Sequence, residues 1–154
     1  LIEGAMMAMN MPPGVKRNFS AERWDQIPRT IWQQERERAL SRIRRDADFA
    51  AFGSDIDENA LRSAQMNAAA AGVADKIKWK TAPLKDFAPA SEKGTVICNP
   101  PYGERMEDAQ QARLITQEMG RVFPAKHGWS YTVISPADCF EVDFGQPADK
   151  RRHI

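Results

Sequence analysis

The chain alternates between apolar residues at helical spacing and short apolar runs that are typical of strands. Helical spacing predicts helices over four stretches, residues 1–10, about 28–45, 58–71 and about 109–122. Short apolar or alternating runs predict strands over residues 49–54, 77–81, 95–98 and 129–135. Because strands alternate with helices, this order predicts an α/β fold with a mostly parallel sheet and helices on both of its faces.

Residues with special backbone roles mark several boundaries of these elements. Pro28 fits the first turn of its helix, Asp57 is placed to cap the helix over 58–71, and Gly72 is placed to end it. The predicted strand over 95–98 is entirely apolar and runs directly into Asn99-Pro100-Pro101-Tyr102. Because proline cannot donate a ladder hydrogen bond, this sequence stops a buried strand abruptly and stiffens the polar tip behind it.

Length and composition are those of a soluble globular domain that spans residues 1–154. Hydrophobic residues make up 42% of the chain and charged residues 28%. The net charge of +1 gives no global argument for nucleic acid, so any such argument must rest on local patches. Cys98 and Cys139 lack metal-ligand spacing, and no apolar run reaches membrane-spanning length. We therefore expect a cytoplasmic protein with no metal site, no disulfide framework and no membrane partner.

Ligands of parallel α/β sheets bind beyond the carboxyl ends of the strands. Asp55 lies at such an end and can accept the ribose hydroxyls of a nucleoside cofactor, while Ile56 beside it can lie against an adenine. The alternative is that Asp55 and Asp57 only cap the following helix.

The Asn-Pro-Pro-Tyr turn offers a more specific chemistry. The Asn99 amide oxygen and the Pro100 carbonyl are two neighbouring acceptors, which suits the exocyclic NH2 group of a base. Accepting both hydrogens would direct the nitrogen lone pair at an electrophile, and Tyr102 can stack on the base. Such a reaction is a methyl transfer from a sulfonium centre, which depends on positioning more than on a strong base. The alternatives are a rigid proline turn and an exposed docking ligand for a proline-binding domain.

The stretch VICNPPYGERM resembles the catalytic motif of class I S-adenosylmethionine-dependent methyltransferases that modify an exocyclic amino group. The closer resemblance is to the subgroup named N6-adenine-specific DNA methylases, which is similar to the 23S rRNA guanine-N2 methyltransferases. LIEGAMMAMNMPPGVKRNF and GSDIDENALRSAQMNAAAAGV resemble two further segments of that subgroup, so the resemblance covers nearly the whole chain.

The resemblance implies a Rossmann-like methyltransferase domain and a role for each matching residue. Asp55 and Ile56 would bind the cofactor S-adenosyl-L-methionine. Asn99, Pro100, Pro101 and Tyr102 would form the target-base site, and Asn99 would also bind the cofactor. Relatives carry an acid after the next strand to hold the cofactor adenine. Here TAPLKDF stands in that place, with Pro83 near the position of the acid. Asp86 is the candidate substitute, and the alternative is that this contact is lost.

The resemblance also implies that the chain is a partial catalytic domain. The family's first strand, its glycine-rich cofactor loop and its RNA-binding THUMP domain would precede Leu1, and the fragment alone is expected to bind the cofactor weakly. The implied partner is RNA, and the implied target is guanine N2 in 23S rRNA. The alternatives are adenine N6 in DNA and a non-catalytic RNA-binding remnant.

Two basic stretches could contact such a nucleic acid. Arginines line one side of the predicted helix over 28–45, although Glu35 and Glu37 balance part of that charge and a solvated helix face explains it as well. Lys150, Arg151, Arg152 and His153 form the second stretch.

Overall fold

The computed structural model describes residues 1–89, 91–102, 106–123 and 128–152. The chain divides into two compact units, Leu1–Thr81 (unit 1) and Ala82–Ile154 (unit 2). The boundary falls just before the stretch 83–93, which is the most linker-like part of the sequence. Both units contain a pair of parallel strands, so the predicted parallel pairing is confirmed and the strands form two pairs.

Unit 1 contains three α-helices and one parallel strand pair. Its elements are α1 (Ile2–Ala8), a 3-10 turn (Ser20–Arg23), α2 (Arg29–Ser41), β1 (Ala51–Asp55), α3 (Glu58–Ala71), a second 3-10 turn (Ala74–Lys76) and β2 (Ile77–Thr81). The predicted bounds of α3 and β2 are confirmed. Asp57 caps α3, since its Oδ1 accepts from the Asn59 backbone N–H at 2.8 Å, and Gly72 ends it with a left-handed φ of 79°.

Other predicted bounds in unit 1 are wrong by a few residues. The second helix ends at Ser41 and not near Arg45, because the Arg44 backbone N–H donates to the Met9 carbonyl at the end of α1. Pro28 is the cap residue before α2 and not part of its first turn. The first strand runs to Asp55, so this acid ends β1 and does not follow it.

Unit 2 contains the second strand pair and two α-helices. Its elements are a 3-10 turn (Leu84–Asp86), β3 (Gly94–Cys98), α4 (Met106–Val122), β4 (Trp129–Val133) and α5 (Phe140–Phe144). The strands β3 and β4 and the helix α4 were predicted, although β3 and α4 begin earlier and β4 ends earlier than expected. The short helix α5 and the 3-10 turn were not predicted from the sequence. The Asp143 carboxylate, whose side chain is almost fully buried, accepts from Arg113 Nε at 2.6 Å, which joins α5 to α4. This guanidinium is the main reason that the pKa of Asp143 is lowered.

Each unit has its own packed apolar contacts. In unit 1 the buried cluster joins α1, α3 and both strands through Ala5, Met9, Ala51, Ala68, Val73 and Ile77. Gly53 belongs to this packing, since an added Cβ would lie 2.5 Å from the Trp79 ring. In unit 2 the Phe123 ring lies 5.1 Å from that of Phe87 and 5.0 Å from that of Tyr131.

The expectation that the strand over 95–98 is buried is wrong for one of its faces, and β1 is exposed in the same way. Phe52 in β1 is 71% exposed and Ile97 in β3 is 74% exposed, although each is flanked in its strand by buried or half-buried residues. Successive side chains of a strand point to opposite faces, and in both units the described helices and loops shield only one face of the strand pair. None of the described helices has the length and apolar character needed to cross a membrane.

Candidate active site

Asp55 ends β1 with its carboxylate free to receive a ligand. The residue is exposed, and its Oδ1 accepts one hydrogen bond, from the Asp57 backbone N–H at 3.0 Å. Two carboxylate oxygens offer about four acceptor positions, so most of this capacity remains open. The capping of α3 is carried by Asp57, and Asp55 is therefore not needed as the helix cap.

Two neighbours complete the surface around Asp55. Thr81 is its register partner at the end of β2, and Ile56 follows it with 73% of its surface exposed. An open cleft of about 170 Å³ lies between α3 and β2 and is lined by Glu58, Leu61, Arg62, Gln65, Trp79 and Thr81. Thr81 joins this cleft to the strand end that carries Asp55. The sequence analysis did not identify Thr81, because strand register is not visible in a single short run.

Asp86 is the last residue of the 3-10 turn Leu84–Asp86 in unit 2. Its carboxylate is exposed, and its backbone N–H donates to the Pro83 carbonyl at 3.0 Å. Pro83 is the cap residue of this turn, so the turn itself determines where Asp86 stands. The structure thus leaves Asp86 available as a polar ligand, and its assignment to a cofactor adenine stays a prediction.

Asn99 follows β3 and is exposed at the end of the strand. The hydroxyl of Tyr102 donates a hydrogen bond to Asn99 Oδ1, which links the first and last residues of the Asn-Pro-Pro-Tyr turn. The backbone of β3 is held up to this point, since the Cys98 carbonyl accepts from the Ile134 N–H at 3.2 Å. The turn therefore presents a polar tip on a fixed strand end. The Tyr102 contact was missed from the sequence, although the spacing of three residues is that of a tight turn.

The prolines between them differ in exposure: Pro100 is half-buried and Pro101 is exposed. Burial of Pro101 would have excluded the docking-ligand alternative, and it is not observed, so that alternative remains open. The residues that extend the motif, Gly103, Glu104 and Arg105, lie outside the described residues.

Cys98 is adjacent to Asn99 but does not act as a nucleophile in this arrangement. It is half-buried on the shielded side of β3, and burial raises the pKa of its thiol. A thiol with a raised pKa is protonated near neutral pH and is a poor nucleophile. Across the described ranges, no three side chains of His, Cys, Asp or Glu are grouped as metal ligands.

The structure brings the predicted residues together in two groups. Asp55 and Ile56 stand together in unit 1, and Asn99, Pro100, Pro101 and Tyr102 stand together in unit 2, where Asp86 also lies. The first group has the features of a nucleoside site, an acid and an exposed apolar neighbour at a strand end. The second has an amide acceptor and an aromatic ring on a stiff turn.

A parallel strand that ends in an acid in one unit, and a parallel strand followed by Asn-Pro-Pro-Tyr in the other, are the features of an α/β methyltransferase domain. Comparison with known families agrees with this class over the full length. The chain belongs to the RMKL-like methyltransferase domain family (UPF0020), whose model matches residues 1–154.

Curated relatives of the chain are longer than the chain itself. The Bacillus subtilis (strain 168) protein named "Putative RNA methyltransferase YpsC" is 33% identical over 153 residues, which are 99% of this chain and 40% of that protein. The "Ribosomal RNA large subunit methyltransferase K/L" of Legionella pneumophila (strain Corby) is 32% identical over 153 residues, 98% of this chain and 22% of that protein. The chain thus spans less than half the length of these relatives.

Solved structures share the fold closely. A Listeria monocytogenes (str. 4b F2365) protein described as "a predicted N6-adenine-specific DNA methylase" superposes with a TM-score of 0.91 at 36% identity, over 98% of this chain and 40% of that chain. The structure described as "SMU.472, a putative methyltransferase complexed with SAH" superposes with a TM-score of 0.90 at 34% identity, over 97% of this chain and 40% of that chain. The α/β methyltransferase fold expected from the sequence is confirmed.

Proposed function

We propose that the protein containing this chain transfers a methyl group from S-adenosyl-L-methionine to an exocyclic amino group of a nucleic-acid base. The observation that carries the proposal is the exposed Asn99 amide at the end of β3, held by the Tyr102 hydroxyl within the Asn-Pro-Pro-Tyr turn. Membership of the methyltransferase family supports it. The chain would be part of the catalytic domain, in the cytoplasm, with further segments of the protein completing the cofactor site and contacting RNA.

The residues of unit 1 fit the nucleoside end of this cofactor. The Asp55 carboxylate retains open acceptor positions for two ribose hydroxyls, and Ile56 offers an exposed apolar surface to an adenine. The cleft beside them, about 170 Å³, is smaller than the 300–1,000 Å³ typical of complete ligand sites. The cleft can hold one end of the cofactor. Its small size agrees with a cofactor site that further segments of the protein complete. The SAH found with SMU.472 supports this choice of cofactor.

Asn99 would hold the base by its amino group. When bound, the cofactor supplies the methyl group as an electrophilic carbon on a sulfonium. Asn99 Oδ1 and the Pro100 carbonyl accept the two amine hydrogens, which fixes the nitrogen and leaves its lone pair free to react. The exposed turn lets the displaced proton pass to water, so no strong base is required.

Tyr102 would have two functions in this turn. Its ring can stack on the base, and its hydroxyl orients the Asn99 amide. A carbonyl oxygen has two lone pairs, so Asn99 Oδ1 can accept from Tyr102 and from a base amine together. The hydrogen bond seen in the structure is therefore compatible with substrate binding.

The most specific substrate that we propose is guanine N2 in 23S ribosomal RNA. The RNA and ribosomal RNA names of the two curated relatives support an RNA substrate. The name of the Listeria protein favours the second candidate, adenine N6 in DNA. Both bases present an exocyclic amine, and the Asn-Pro-Pro-Tyr turn suits either.

A methylation assay on the full-length protein would test the proposal. We expect tritium from labelled S-adenosylmethionine to enter protein-free 23S rRNA, and nucleoside analysis to find it in N2-methylguanosine. Unmodified double-stranded and single-stranded DNA serve as parallel substrates. Label found only in N6-methyladenine of DNA would contradict the RNA assignment and support adenine N6 in DNA as the target. Absence of label from every nucleic acid would favour a non-catalytic remnant.

Changing Asp55 to Asn should weaken cofactor binding without unfolding unit 1. The amide keeps the shape of the side chain but loses the negative charge, and a hydrogen bond to a charged group is worth about 1.5–3 kcal/mol. We therefore expect the Kd of S-adenosylhomocysteine, measured by calorimetry on the full-length protein, to rise by about 10- to 100-fold.

Asp57→Asn is the matched control, because it removes the same charge two residues away. Asn caps helices about as well as Asp, so α3 should keep its cap and cofactor affinity should stay near the wild-type value. Equal losses of affinity in both variants would mean that Asp55 acts only through local charge or stability.

A further inference from the structure

Positive charge is concentrated in one part of unit 1. Residues 14–45 contain nine Lys and Arg against four Asp and Glu, a surplus of five, whereas the whole chain carries a net charge of +1. Two of the four acids are already paired, Glu22 with Arg36 and Glu35 with Arg38. The surplus of five cations is therefore not neutralised by acids of this stretch.

Some of the arginines make contacts within the fold, and these contacts account for their presence in the sequence. Arg36 donates to the Val15 carbonyl at 3.0 Å and to the Arg17 carbonyl at 2.6 Å, and it forms an ion pair with Glu22. Its guanidinium also lies 5.8 Å from the centre of the Phe19 ring. Arg36 therefore fixes the segment before α2 onto that helix, which gives this segment a defined shape.

Arg23 and Arg29 make no such contacts with the described residues. Both are exposed, and neither forms an ion pair or a side-chain hydrogen bond with any described residue. Arg29 is the first residue of α2, where the helix dipole opposes a cation, and the first turn of α2 holds no acid to compensate it. The fold gains no visible stability from Arg29, so its charge is available for an anionic partner.

Trp24 lies between these two arginines in the sequence and is unusually exposed. Its side chain is 58% exposed, although tryptophan is among the largest apolar residues. The Ile27 N–H donates to the Trp24 carbonyl at 3.2 Å, so residues 24–27 form a tight turn that precedes Arg29. An exposed aromatic ring with a free cation before it and another after it in the sequence matches the chemistry of a single nucleic-acid strand, which offers bases for stacking and phosphates for pairing.

We propose that Arg23, Trp24 and Arg29, here called the basic-aromatic surface, bind a single-stranded segment of the nucleic-acid substrate. Trp24 stacks on a base while the two guanidiniums pair with neighbouring phosphates. The contact is made through backbone charge and stacking, so it carries little sequence preference. The proposal rests on the proposed function for the identity of the ligand as nucleic acid, and it assigns this contact to residues of unit 1, whereas the Asn99 turn belongs to unit 2.

Binding of a 20-nucleotide strand to the full-length protein tests this surface, with RNA and DNA of the same sequence as separate arms. Trp24→Ala should raise the Kd by about 5- to 100-fold, the loss of one stacked base, with an unchanged salt slope. The double variant Arg23→Glu/Arg29→Glu should weaken binding and lower the slope of log Kd against log salt by about 1.4, since each single-strand phosphate contact contributes about 0.7.

Two matched controls separate this contact from general effects. Met66→Ala removes another exposed apolar side chain of unit 1, and Lys93→Glu/Arg121→Glu reverses the same amount of charge in unit 2. Both should bind within twofold of the wild type. Binding within twofold by either surface variant, or equal losses in the controls, would overturn the proposal.

A photocross-link gives a second readout that needs no variant. RNA containing 4-thiouridine should label the tryptic peptide 24–29 of the wild-type protein, and labelling elsewhere without this peptide would contradict the surface. The proposed function is judged separately, by methyl transfer. An active enzyme with unaffected surface variants rejects only the surface, whereas an inactive protein whose surface variants lose binding rejects only the function.

Discussion

Asn99→Ala should lower the kcat of methyl transfer by about 10²- to 10³-fold in the full-length protein. Mutations that remove one precisely placed hydrogen-bonding group at a reacting centre have effects of this size. Alanine deletes the amide oxygen that would hold the base amine, while Pro100 and Pro101 still define the turn. Steady-state assays with labelled S-adenosylmethionine and a nucleic-acid substrate measure the change.

Two companion variants locate the effect in the amide oxygen. Asn67→Ala removes an exposed Asn from α3, far from the turn in sequence, and should leave kcat unchanged. Tyr102→Phe keeps the ring and the Asn99 acceptor but loses the hydrogen bond between them. It should reduce kcat much less than Asn99→Ala does. Full activity of Asn99→Ala would refute the role of this residue and, with it, the main support for the proposed chemistry.

Gly120→Ala should destabilise unit 2 by about 2 kcal/mol, although alanine is the better helix former. Gly120 lies in α4 against the last residue of α5, and an added Cβ would overlap the Phe144 carbonyl oxygen and lie 2.8 Å from its carbonyl carbon. Overpacking costs about 1–3 kcal/mol and sometimes more, and a backbone atom cannot rotate away. The higher helix propensity of alanine offsets only about 1 kcal/mol of this cost. Urea unfolding, with hydrogen exchange reporting on α4 and α5, measures the loss.

Gly4→Ala is the matched control, because Gly4 is also a helical glycine. An added Cβ there would meet only the Phe49 ring, at an ordinary 3.8 Å. This variant should therefore gain about 0.5–1 kcal/mol from propensity alone. Stabilisation by both substitutions would show that α4 and α5 do not approach each other as closely as described.

Elements bounded by local signals were predictable from the sequence. The bounds of α3 agree with the prediction because Asp57 and Gly72 act on their own helix, through a side-chain cap and a left-handed φ. The end of α2 was misplaced because the contact that stops it, Arg44 to Met9, joins residues distant in the sequence. The same distinction explains Ile97, whose apolar character predicts burial although nothing among the described residues covers that face of β3.

The chemistry of the site was likewise only partly contained in the sequence. Residue types and their spacing determined the strand-ending Asn-Pro-Pro-Tyr turn, the acid Asp55 and the alternation of strands and helices, because these depend on neighbours along the chain. Tertiary structure alone decided that Thr81 stands beside Asp55 and that Gly120 must lack a side chain. It also decided that Arg36 is bound by other residues of the fold while Arg29 is free. Each of these depends on which distant segments meet, and a linear pattern carries no distances between them.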